Sequence, residues 1–174
     1  MTQVSIRPLT RNDVPFLRRM LDAAAFWRPM PSALLPRLRQ RALRPVLRLL
    51  VRNYLGLYHR EWGRPGDAGV VAEVDGTPIG AAWYRLFSEA SHGDGYIDER
   101  TPELAIAVED GHRGHGVGRA LLLALADRAR SDGLERLGLS VDADNPAKRL
   151  YASVGYRELA PDDPEGRMVL DLRA

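Results

Sequence analysis

The 174-residue sequence contains no cysteine, which excludes a disulfide framework, a thiolate metal site and a thiol nucleophile. Lysine occurs once, at Lys148, so nearly all positive charge is carried by arginine. No uninterrupted apolar run reaches the roughly 18 residues that would span a bilayer. The opening residues MTQVSIRPLTRND lack the basic-then-apolar order of a secretory signal, so a cytoplasmic location is the default expectation. Four scattered histidines, at 59, 92, 112 and 115, do not form a metal cluster. No repeat or low-complexity tract is present. What remains is 45% hydrophobic and 28% charged, the composition of an ordinary folded domain, and the length suits a single domain over residues 1–174.

The formal net charge of +2 conceals an asymmetry. Between 28 and 64 nine arginines face Glu61 alone, whereas from 89 to 110 seven carboxylates face only Arg100. The arginines fall at i, i+4 and i+8 only from Arg44 through Arg48 to Arg52, too scattered for a single binding face, so neither a nucleic-acid nor a membrane-surface partner is expected.

Alternation in VSIRPL predicts a first strand, and Thr10 with Asp13 marks the start of a helix through DVPFLRRMLDAAA. In the segment 32–58, leucine and valine recur at helical spacing but Pro36 and Pro45 limit it: a short helix, a break near Arg44 and a second helix ending near Gly56. GVVAEV and PIGAAWYRLF flank the turn Asp75-Gly76 and predict a hairpin. SEASHGDGYIDERTP reads as a loop, ELAIAV as a buried central strand, and residues 118–131 as a helix stopped by Gly133. ERLGLSV is the next strand, Asn145-Pro146 opens a helix through AKRLYASVG, and YREL and GRMVLDL supply the last strands. This order gives an α/β (α+β) fold, a mixed sheet of about six to seven strands flanked by helices.

The stretch HRGHGVGRALL joins a glycine-rich turn to a helix start. Glycine lets a ligand approach the backbone, and the first helical turn offers unpaired N–H groups and the positive end of the helix dipole, a setting for a phosphate. Two familiar phosphate motifs fail. The dinucleotide pattern G-x-G-x-x-G lacks its third glycine, since Arg119, Leu121 or Val117 stands there, and the P-loop would need Lys and Ser or Thr after Gly118, where Arg119 and Ala120 stand. Arg-x-x-Gly-x-Gly does fit, from Arg113 to Gly118.

The string AIAVEDGHRGHGVGRALL, with Arg113 five positions after Val108, and NPAKRLYASVGY, about 30 residues on, together resemble the GNAT-type N-acetyltransferases. The resemblance covers essentially the whole chain and implies a single GNAT-type domain. It implies acetyl-CoA as co-substrate, its pyrophosphate on the backbone of Arg113, Gly114, His115, Gly116, Val117 and Gly118, with Arg113 and Arg119 adding charge. It implies also that the pantetheine arm adds to the central strand at Ile106, Ala107 and Val108, that the Val108 amide faces the thioester oxygen, and that Asn145 contacts the cofactor arm besides capping its helix. Asp110 departs from the commoner pattern, in which many relatives carry proline.

For catalysis the resemblance implies Tyr151 as the general acid that protonates the leaving thiolate. Glu103, at the start of ELAIAV, is the best candidate general base, ahead of Glu73, His92 and His112. The expected reaction is direct attack of a small-molecule or peptide amine on acetyl-CoA, with homodimers common among relatives. The carboxylates from 89 to 110 favour a cationic acceptor. The rival reading is a GNAT-fold sensor or scaffold that binds acyl-CoA without turnover.

Overall fold

The computed structural model describes residues 3–25 and 54–173. The predicted helix pair before Gly56, and most of the arginine-rich segment, lie outside the described residues; the last part, 54–56, is helical. In chain order the elements are β1 (Val4–Pro8), a 3-10 turn (Arg11–Asp13), α1 (Val14–Ala25), β2 (Ala68–Val74), β3 (Thr77–Arg85) and β4 (Glu103–Val108). A second 3-10 turn (Asp110–His112) precedes α2 (Val117–Ser131), β5 (Arg136–Ser140), α3 (Ala147–Ser153), β6 (Arg157–Glu158) and β7 (Arg167–Asp171).

Local chemistry accounts for most boundaries. Asp13 reaches back to accept a bond from the Thr10 N–H at 2.8 Å, and Arg7 grips the same carboxylate at 2.7 and 2.8 Å. Those bonds hold the Asp13 carboxyl down at about 2. Asp75 and Gly76 both take positive φ, 49° and 75°, as the tightest hairpin turn requires. At the end of α2 the Leu134 N–H returns to the Ala129 carbonyl at 3.0 Å, the wrap expected when glycine follows the last helical turn.

The seven strands run in the order β1-β2-β3-β4-β5-β7-β6, and only β4 and β5 are parallel. The sheet separates two cores. Phe16, Leu17, Met20 and Leu21 of α1 pack on Val71, Ala81, Trp83 and Ala107, while Leu121, Leu122, Leu125 and Ala129 of α2 pack on Val70, Ala72, Ala82 and Leu104. Neighbouring residues of one strand thus enter different cores, as the two-residue period of a strand demands.

Candidate functional site

The parallel contact between β4 and β5 is confined to Glu103 opposite Gly138, with the Gly138 N–H donating to the Pro102 carbonyl at 2.9 Å. Beyond that point the strands part. On its other side β4 is fully paired with β3, Ala107 opposite Ala81 and Val108 opposite Gly80, and the Glu109 N–H donates to the Ile79 carbonyl at 2.9 Å. Antiparallel pairing alternates, so if Glu109 and Ala107 point their polar groups at β3, Ile106 and Val108 point theirs into the gap. The Val108 carbonyl is taken by Arg113, so the Val108 N–H and the backbone groups of Ile106 are what β4 turns toward the gap.

Below the gap lies the glycine turn. Gly114 and Gly116 take φ of 77° and 83°, and Gly116 directly precedes α2. A β-carbon at Gly111, Gly114 or Gly116 would meet no described atom within 4 Å, so the space beside the turn is open. Gly118 differs: its Cβ would lie 3.1 Å from Leu150, so this glycine serves the packing of α2 on α3. His115 and Arg119 are exposed, and Val117 is buried beneath them. Arg113 turns back toward the strand, donating from Nε to the Val108 carbonyl at 2.8 Å and pairing with Asp110 at 2.9 Å. Its guanidinium therefore braces the end of β4 rather than standing free for a phosphate. What the turn can offer an anion is its backbone N–H groups and the exposed Arg119.

Asn145 caps α3 as expected, its Oδ1 accepting from the Ala147 N–H at 2.9 Å. On the same helix Tyr151 is buried edge-on against Tyr156, ring centroids 5.9 Å apart, in the α2-side core. Burial pushes its phenol up to about 12, so it keeps its proton at neutral pH.

Glu103 sits on the opposite face. Strand alternation groups it with Ala105 and Ala107, and it is only 3% exposed. Its Oε1 accepts from the Tyr58 hydroxyl at 2.5 Å and from the Gly95 N–H at 3.0 Å. Its Oε2 is buried with no hydrogen-bond partner among the described residues. Burial raises its pKa, while the bonds from Tyr58 and Gly95 oppose the rise. Arg85, its cross-strand partner, does not neutralise it, because both ends of that guanidinium close on Asp67 at 2.6 and 2.7 Å.

Of the other base candidates, Glu73 and His92 are otherwise engaged. Glu73 accepts from Arg7 at 2.8 Å. His92 is exposed, stacked on Tyr96 at 4.3 Å with Nδ1 2.8 Å from the Gly93 carbonyl, and His112 is half-buried in its 3-10 turn. Sequence reading missed Tyr58, Gly93 and Gly95. The available signals were the glycine pair in SHGDGY and the helical spacing of Tyr54 and Tyr58. An open cavity of about 410 Å³ adjoins this cluster through Arg85 and Phe87, the latter packed on Tyr58.

A mixed sheet that parts between its parallel strands above a glycine-rich helix start defines an acyl-CoA-dependent acyltransferase class of fold. The sequence model of the acetyltransferase (GNAT) family matches residues 33–156, and the chain belongs to that family. The mycothiol acetyltransferase of Thermobispora bispora is 39% identical over 93 residues, 53% of this chain and 30% of that protein. The L-2,4-diaminobutyric acid acetyltransferase of Nocardia farcinica is 34% identical over 98 residues, 53% of this chain and 45% of that one. The chain thus matches less than half the length of these curated relatives. Two solved structures share the fold over nearly the whole chain. The PaiA N-acetyltransferase of Thermoplasma acidophilum, in complex with coenzyme A, aligns with a TM-score of 0.64 at 16% identity, covering 97% of this chain and 99% of that one. The yncA protein of Salmonella typhimurium, with acetyl-CoA, gives 0.63 at 22%, covering 98% and 95%.

Proposed function

We propose that the protein is an N-acetyltransferase that moves an acetyl group from acetyl-CoA to a primary amine. The observation that carries this reading is the parting of β4 from β5 above an open glycine turn, with a buried carboxylate on one face of the sheet and a buried phenol on the other. These features fit the co-substrate: the backbone N–H groups of 114–118 would hold its pyrophosphate and the backbone of Ile106 its pantetheine arm, whereas the expected contact at Ala107 is turned toward β3 and the Val108 carbonyl and Arg113 N–H are already bonded. When bound, acetyl-CoA supplies the acetyl thioester. The Val108 N–H then donates to the thioester oxygen as charge develops there. Glu103 takes a proton from the acceptor ammonium, through water, so that the amine nitrogen can bond to the acetyl carbon. Tyr151 gives its proton to the sulfur as the carbon–sulfur bond breaks, and the second proton of the acetylated nitrogen passes through water to restore the phenol.

A scaffold without turnover is less well supported, because a buried carboxylate with one oxygen unpartnered serves proton transfer better than packing. The acceptor is a small-molecule or peptide amine; the relatives named for mycothiol and diaminobutyric acid support that class. The case for a cationic acceptor is weaker than charge alone suggested. Asp98 pairs with Arg136, Asp110 with Arg113 and Glu109 with Arg19, which leaves Glu89, Asp94 and Glu99 as the exposed carboxylates of that stretch with no ion pair among the described residues. A cytoplasmic setting and a homodimer remain the expected context. Among the described residues no helix is long and apolar enough to cross a membrane. Calorimetry with coenzyme A, followed by a panel of amines incubated with acetyl-CoA, tests the reading. Absence of coenzyme A binding by the folded protein overturns it.

A further inference from the structure

We infer that Tyr58, with the turn Gly93-Asp94-Gly95, is a positioning device that occupies one oxygen of Glu103 and leaves the other as the single proton acceptor. The inference rests on the reading of Glu103 as general base.

Among the described residues, both hydrogen bonds to the carboxylate end on Oε1, from the Tyr58 hydroxyl at 2.5 Å and the Gly95 N–H at 3.0 Å. A carboxylate held through one oxygen cannot rotate without breaking both bonds, so the proton must arrive at Oε2, which is buried and unpartnered. The turn comes this close because it has no side chains in the way. A β-carbon on Gly95 would stand 2.7 Å from Oε1 and 2.8 Å from the Leu139 carbonyl carbon, and one on Gly93 would overlap the Tyr58 hydroxyl.

Tyr58 is itself fixed at both ends. Its carbonyl accepts from the Trp83 indole at 3.0 Å, and its ring lies edge-on to Phe87 and to Tyr54. Tyr54, one helical turn earlier, accepts from the Asp94 N–H at 2.8 Å, so two tyrosines on one face hold the turn and the carboxylate together. The charged and titratable groups facing Glu103 are Asp94 and His92 from the turn, Tyr58 from the helix end, and Arg85 from β3, which Asp67 neutralises. Of these, Tyr58 alone donates a side-chain hydrogen bond to the carboxylate.

The test needs no acceptor. In protein carrying 13Cδ-labelled glutamate, the Glu103 resonance is identified by its loss in Glu103→Gln, and its titration is followed in wild type and in Tyr58→Phe. Losing a bond that favours the charged form should move the midpoint up by about one unit. An unchanged midpoint overturns the inference. If Tyr58→Phe does not fold, global 3-fluorotyrosine, a more acidic and stronger donor, should move the midpoint down, and no movement again overturns it. Once the amine panel yields an acceptor, the acidic limb of kcat/KM in Tyr58→Phe should follow the same shift, with rates about tenfold lower below both midpoints and KM for acetyl-CoA unchanged. Full activity of Glu103→Gln removes the base reading itself. An inactive Glu103→Gln beside a Tyr58→Phe of wild-type pH profile removes only the positioning role.

Discussion

The glycines at 114 and 116 and those at 93 and 95 look alike in sequence and serve opposite purposes. At Gly114 and Gly116 a β-carbon would meet nothing within 4 Å, whereas at Gly95 it would meet the Glu103 carboxylate at 2.7 Å. The first turn has left room for something outside the protein, and the second has left room for one of the protein's own groups. The first is exposed and the second, at both glycines, buried. Absence of a side chain therefore marks a ligand site only where the vacated space is open.

The largest expected effects fall on the two proposed proton carriers. Tyr151→Phe and Glu103→Gln should each lower turnover by about 10²-fold or more while coenzyme A affinity by calorimetry is held. Wild-type turnover in either variant would reassign that proton to water or another side chain.

The two glycine turns should separate next. Gly116→Val places a β-branched residue at φ 83° in the open space beside the turn and should weaken coenzyme A binding by about tenfold or more, with about 1–2 kcal/mol lost from unfolding stability. Gly95→Ala should do the reverse. Overpacking against Glu103 and Leu139 costs about 1–3 kcal/mol by chemical denaturation, with coenzyme A affinity retained. If both variants lose the same property, the contrast between the turns is wrong.

A subtler signature comes from pH. Burial raises the Glu103 pKa in the folded state, so the folded protein binds this proton more tightly than the unfolded chain. The associated stability is complete below the ordinary glutamate value of about 4.3 and is lost as pH rises through the folded value. Glu103→Gln carries no such dependence. Its unfolding free energy minus that of wild type should therefore grow as pH rises from about 4.3 and level off above the folded value, and a flat difference throughout would mean that Glu103 titrates normally. The smallest effect belongs to Gly111→Ala, where a β-carbon meets nothing within 4 Å and φ is not positive, and stability should stay within about 0.5 kcal/mol.

Much of the fold was legible along the chain because its signals are local. The Asp75-Gly76 hairpin, the Gly133 stop, the Asn145 cap and the seven short strands depend on residues within a few positions of one another. The glycine turn was legible for the same reason, since loop and helix start are contiguous. Arg113 was read less well: a charge beside a phosphate site suggested a contact, but its guanidinium bends back onto Val108 and Asp110. Gly118 shared the motif yet packs against Leu150, a helix nearly 30 residues on.

The amino-acid sequence by itself determined the strands, the helix boundaries, the open glycine turn and the residue types able to move protons. Periodicity, capping and backbone conformation act over one or two turns of chain. Only the tertiary structure decided the strand order, the gap between β4 and β5, and the surroundings of Glu103. That carboxylate meets a tyrosine 45 residues away and an N–H eight residues back, and is denied the arginine directly across from it because Asp67 holds that arginine first. Burial and hydrogen bonding together set the basicity of a carboxylate, and both arise from contacts that no local pattern in the chain encodes.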